Sequence, residues 1–84
     1  MNNNILRFIC DALNNRSPLK LDGDALLSYR YLDARHLDSF GLIQFIVEIE
    51  DEFDIELTPE DTQSDEFRYV GGLVELINRK VNNG

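Results

Sequence analysis

The chain has 84 residues, 16 acidic and 8 basic, and a net charge of −8. A domain this small buries only about two-thirds of its unfolded surface, which leaves little room for an enclosed catalytic pocket beside a core and favours a binding or carrier module over an enzyme. Its acidity argues against nucleic acid and anionic membranes, which require Lys and Arg clusters, and in favour of partners with basic patches. The single cysteine, Cys10, excludes an internal disulfide. No apolar run approaches the roughly 20 residues of a membrane span, and the first residues, MNNNILRFICDALNN, lack the basic start and long apolar stretch of a secretion signal. A monomeric, soluble, cytoplasmic domain covering residues 1–84 is expected, without repeats or low-complexity linkers.

In chain order, the spacing predicts a first helix over 4–14, with Ile5, Leu6, Ile9 and Leu13 at helical intervals and Phe8 and Ala12 widening the stripe. Asn2, Asn3 or Asn4 is the expected cap, and Cys10 reads as a structural, partly buried thiol. Residues 15–38 form a long connection rich in turn formers (Asn15, Ser17, Pro18, Asp22, Gly23). A connection of that length needs anchors, and Leu19, Leu21, Leu26, Leu27, Tyr31, Leu32 and Leu37 are available. A short helical turn is expected near 24–29. The strongest helix spans 39–54: Ile43, Ile46, Val47 and Phe53 are expected to face the core, extended by Leu42, Phe45 and Ile49, with Asp38 as N-cap. Thr58 and Pro59 open a short helix over 59–66. The last helix covers 70–81, with Leu73, Val74, Ile77 and Val81 inward. Gly71 and Gly72 weaken its first turn by up to about 1 kcal/mol each relative to Ala, unless they mark close packing or a helix that begins at Leu73. No segment alternates like a strand. The expected fold class is all-α, with three main helices and one or two short ones.

The informative stretch is LDSFGLIQFIVEIEDEFDIEL, residues 37–57. Asp38-Ser39-Phe40 is followed by an apolar-periodic helix (Ile43, Phe45, Ile46, Ile49), then Glu50-Asp51-Glu52-Phe53, and downstream by Ile55 and Leu57. This pattern resembles the attachment region of acyl and peptidyl carrier proteins. The resemblance implies an acyl-carrier-protein-like bundle, with 4'-phosphopantetheine attached covalently to Ser39 by a phosphopantetheinyl transferase. Asp38 and Phe40 would flank the base of the arm. It also implies a chain that catalyses nothing itself, which agrees with the absence of an activating Ser/His/Asp set. A serine opening a helix suits the role physically, because the helix N-terminus favours an attached phosphate.

No Lys or Arg occurs between Ser39 and Phe67, whereas Glu48, Glu50, Asp51, Glu52, Asp54, Glu56, Glu60, Asp61, Asp65 and Glu66 all do. The resemblance makes this an acidic recognition face, with Gln44, Glu48, Asp51 and Glu52 as partner-binding positions. The partners it implies are an adenylation or acyl-activating enzyme, or a ketosynthase or acyltransferase with a basic patch. Residues 50–61 lack the ligand spacing of a calcium loop, and His36 lacks a partner at zinc-ligand spacing, so no metal site is expected. His36 reads as a loop residue near the arm. Arg30 and Arg35 are expected to pair with nearby acids rather than with the arm's phosphate.

Gly41 and Gln44 stand where fatty-acid-synthesis carriers usually place acids. Gly41 with Glu48, and Ser64-Asp65-Glu66-Phe67, are similar to the D-alanyl carrier proteins, whereas Tyr69 and Gly71-Gly72 depart from that group. Three readings follow: a stand-alone acyl or aminoacyl carrier in fatty-acid, polyketide or nonribosomal-peptide synthesis; a D-alanyl carrier working with an adenylation enzyme; or an unmodified helical adaptor.

Overall fold

Every regular element among the described residues, 3–83 of a computed structural model, is helical. In chain order they are α1 (Asn3–Arg16), α2 (Gly23–Leu27), α3 (Ser39–Phe53), α4 (Pro59–Gln63), a 3-10 turn (Asp65–Arg68) and α5 (Val70–Asn83). This is the expected all-α arrangement of three long helices with short ones between them.

The stripe on α1 lies where its periodicity puts it. Ile5, Ile9, Ala12 and Leu13 are buried, and Leu6 and Phe8 are half-buried at the edge of the core. Asn2, one of the three expected caps, lies outside the described residues, and Asn4 falls inside the helix. Phe8 meets Phe53 edge-on at 5.4 Å, and the guanidinium of Arg16 donates to Gln44. Helices α1 and α3 therefore run antiparallel.

Helix α3 corrects the expected core face. Its buried residues are Gly41, Phe45 and Ile49, while Ile46, Leu42 and Phe53 are only partly covered. Ile43 is 61% exposed and Val47 51% exposed. This helix is apolar around most of its circumference, so periodicity offers two acceptable inward stripes. The choice falls to the one whose large side chain, Phe45, meets the ring of Tyr31 at 5.8 Å. Tyr31 is fully buried, stands edge-on to Phe67 as well, and donates its hydroxyl proton to the Phe67 carbonyl. Burial pushes its pKa far upward, so the buried group stays a neutral donor.

The segment expected as one helix over 59–66 is divided. A capping box starts α4: the Thr58 hydroxyl accepts from the Asp61 amide at 3.2 Å, and the Asp61 carboxylate from the Thr58 amide at 2.9 Å. At Ser64 the backbone becomes extended (ψ 156°), and the 3-10 turn then carries Phe67 into the core.

Helix α5 begins at Val70, so both glycines lie within its first turn, and close packing is the reason for them. A Cβ on Gly71 would stand 3.0 Å from the Leu27 carbonyl oxygen of α2; one on Gly72 would stand 2.5 Å from the Glu66 carbonyl oxygen and 2.8 Å from the Glu66 Cα. Backbone cannot retreat as a flexible side chain can. Gly72→Ala should therefore destabilise the domain by about 1–3 kcal/mol despite its better helix propensity, and by more than Gly71→Ala. Thermal denaturation of the two variants checks this order. Inward residues of α5 are Val70, Leu73, Leu76 and Ile77; Val74 is half-buried, and Val81, expected inward, is exposed on the final turn.

Candidate functional site

The loop between α2 and α3 sets the position of Ser39, and it is fastened at several points. Val70 donates its amide to the Tyr29 carbonyl at 3.0 Å. Arg30 bridges Asp33 at 2.6 Å and Asp65 at 2.8 Å, and Arg68 also reaches Asp33. Leu37 is buried, whereas Leu21 and Leu27, expected among the anchors, are substantially exposed. His36 ties the loop to the end of α1. Its Nε2 lies 2.8 Å from the Leu13 carbonyl and 3.0 Å from that of Ser17; carbonyls only accept, so Nε2 carries the proton. Its Nδ1 then accepts from the Tyr29 hydroxyl at 2.8 Å.

Between these anchors the chain makes one helical turn and stops. The Ala34 amide donates to Arg30, that of Arg35 to Leu32, and that of His36 to Tyr31. This is a Schellman arrangement, with Arg35 in the left-handed region (φ 56°) that glycine usually occupies. An arginine there costs about 1 kcal/mol.

Asp38 then starts α3. Its Oδ1 accepts from the Gly41 amide at 2.6 Å, as expected of an N-cap, and its carbonyl accepts from the Leu42 amide at 2.8 Å. Gly41 permits this tight cap, since a Cβ would stand 2.9 Å from that same Oδ1. Ser39 does no capping. It is exposed at the first helical position, and its hydroxyl makes no hydrogen bond among the described residues. Phe40, next to it, is 67% exposed and takes no part in the core.

A cavity of about 560 Å³ opens beside the serine, lined by Leu32, Arg35, Leu37, Asp38, Ser39 and Leu42. A second, of about 380 Å³, is bordered by Arg16, Arg35, His36, Leu37 and Asp38. The expectation that both loop arginines pair with acids holds for Arg30 alone, because Arg35 has no ion pair among the described residues.

Of the acidic run, four members are engaged internally. Glu50 accepts from the Leu57 amide at 2.8 Å, Asp61 pairs with Lys80 at 2.6 Å, Asp65 with Arg30, and Glu66 with Arg79 at 3.0 Å. The hydrogen bonds from Arg79 hold the Glu66 carboxyl below the usual carboxylate range against the opposing effect of burial. Burial pushes Asp61 the other way, but the bonds from Lys80 and Thr58 outweigh it and leave its pKa lowered. Glu48, Asp51, Glu52, Asp54, Glu56 and Glu60 are exposed and unpaired among the described residues. Gln44 is half-buried and engaged by Arg16.

The remaining chemistry-bearing groups are quiet. Cys10 is half-buried, and burial, with Asp11 adding to it, pushes its thiol pKa up, which disfavours the nucleophilic thiolate. Among the described residues no three His, Cys, Asp or Glu side chains gather as a metal would need, and no helix is long and apolar enough to cross a membrane.

The residues at the head of α3 suit a covalently attached phosphate bearing a long arm. They supply an exposed hydroxyl, first-turn amides that precede the intrahelical ladder, a cation, and a cavity with apolar walls. No curated protein and no solved structure matches the chain at a significant level. The family model described as the phosphopantetheine attachment site matches residues 9–77, which is most of the chain and includes all of α3. The chain therefore belongs to the phosphopantetheine-binding family, whose members are carriers that tether pathway intermediates on a covalently attached 4'-phosphopantetheine.

Proposed function

We propose that Ser39 is the attachment residue and that this chain is a non-catalytic, cytoplasmic carrier of acyl or aminoacyl groups. The exposed, uncommitted Ser39 hydroxyl at the first position of α3 carries this reading, because the neighbouring Asp38 takes over the capping that would otherwise occupy it. The arm supplies a terminal thiol that holds cargo as a thioester. On modification, the Ser39 oxygen bonds to the pantetheine-bearing phosphorus of coenzyme A, the pyrophosphate linkage breaks, the nucleotide half leaves with the electron pair, and the hydroxyl proton passes to a base on the transferase. The test is intact mass after incubation with coenzyme A and a broad-specificity phosphopantetheinyl transferase. A phosphopantetheine-sized gain supports the proposal; its absence, with active transferase on a control carrier, argues for an unmodified adaptor. Cargo recovered from native material distinguishes a D-alanyl carrier from one serving fatty-acid, polyketide or peptide synthesis.

The outer face of α3 is the proposed docking surface. Phe40, Ile43 and Val47 form an exposed apolar stripe, and Glu48, Asp51 and Glu52 stand exposed on the same helix. The partner this suits has an apolar centre and a basic rim, as in an acyl-activating enzyme or ketosynthase. Exposed charges contribute more to encounter than to affinity. Glu48→Lys with Asp51→Lys is expected to slow partner-dependent loading about tenfold or more at low ionic strength, with helix content unchanged. Equal loading rates in stopped-flow measurements would remove these residues from the docking surface.

A further inference from the structure

The two arginines of the loop before Ser39 have different situations. Arg30 is committed to Asp33 and Asp65. Arg35 is exposed, its guanidinium has neither hydrogen bond nor ion pair among the described residues, and it lines the same cavity as Ser39. It occupies a left-handed backbone position, φ 56°, where glycine would be the unstrained choice, so the local fold gains nothing from an arginine there. Arg16, the other cation nearby, donates to Gln44 and does not line the cavity that contains Ser39.

An esterified Ser39 would bring a phosphodiester anion next to the Asp38 carboxylate, which caps α3. The helix N-terminus offsets only part of that repulsion, since its field corresponds to roughly half a charge. A guanidinium offers a planar fork that matches two phosphate oxygens and stays charged at any working pH. We infer that Arg35 binds the phosphodiester of the modified Ser39. The contact directs the first bonds of the arm along the wall of Leu32, Leu37 and Leu42, away from the exposed face of Phe40, Ile43 and Val47 that is proposed for docking.

This inference rests on Ser39 being the modified residue, so the experiment separates the two. Intact mass first establishes whether the arm is attached. On the loaded protein, the phosphorus resonance and the arginine Nε–H resonances are then followed by NMR in wild type, Arg35→Gly, Arg35→Lys and Arg16→Gln. The expected result is that the Arg35 Nε–H moves between the apo and loaded forms. The phosphorus line should shift in Arg35→Gly, shift less in Arg35→Lys, and hold its place in Arg16→Gln. Arg35→Gly should melt no lower than wild type, because it relieves the left-handed strain; this separates the phosphate contact from a folding role. A loaded protein whose Arg35 resonance and phosphorus line are indifferent to these changes overturns the inference while leaving the attachment site intact. A shift confined to Arg16→Gln overturns it in the same way. Failure of wild type to gain mass overturns both.

Discussion

Ser39→Ala is expected to abolish phosphopantetheine attachment completely and to leave the fold as stable as wild type, within about 0.5 kcal/mol. A structural serine would behave differently. If its hydroxyl capped α3, the substitution would cost about 0.5–2 kcal/mol and lower the melting temperature. The Ser39 hydroxyl has no acceptor or donor among the described residues, and Asp38 supplies the cap to the Gly41 amide. The cap penalty should therefore appear in Asp38→Ala and not in Ser39→Ala. Two measurements are needed: intact mass after transferase treatment, and thermal denaturation of both variants. A mass gain that persists in Ser39→Ala would place the arm elsewhere. A large loss of stability in that variant would return the serine to a structural role.

Phe45→Ala is expected to have the largest effect on stability, about 3–5 kcal/mol. Phe45 is almost fully buried and packs edge-on against Tyr31, which itself holds the loop to the 3-10 turn. Removing the ring leaves a cavity lined by groups that are fixed on the other side. For a domain of this size, 1 kcal/mol corresponds to roughly 4–8 °C in melting temperature, so a drop of at least about 12 °C is anticipated. With a total stability of roughly 5–15 kcal/mol, some of the population would be unfolded at ambient temperature if wild type lies near the lower end. Ile46→Ala, at a half-covered position, should cost clearly less, and Ile43→Ala, at a mostly exposed one, least of all. Should Ile43→Ala prove as damaging as Phe45→Ala, the orientation of α3 described above would be wrong.

Much of this molecule is visible in the residues themselves. The helical interval of Ile5, Ile9 and Leu13 places α1 and its buried face. Asp38 and Thr58-Pro59 mark the starts of α3 and α4, because a carboxylate or hydroxyl just before a helix can satisfy amides that nothing else reaches. These are local effects, decided within one turn of chain. The division of 59–66 into α4 and a 3-10 turn is of another kind. It follows from the burial of Phe67 against Tyr31, residues separated by 36 positions. The pairing of Arg30, and the lack of a side-chain partner for Arg35 among the described residues, likewise depend on where Asp65 and the loop come to rest.

The amino-acid order alone determined the all-helical class, the starts of α3 and α4 and the acidic character of the middle of the chain, because each depends on local spacing or on residue type; it offered Ser39 as a candidate through the resemblance of residues 37–57 to carrier proteins. Tertiary structure alone decided which side of α3 is turned inward, which acids remain free, and why two glycines open α5. The physical reason is shared by all three. A helix that is apolar around most of its surface, an acid within reach of several cations and a glycine inside a helix each have more than one locally acceptable outcome, and only contact with distant parts of the chain separates them.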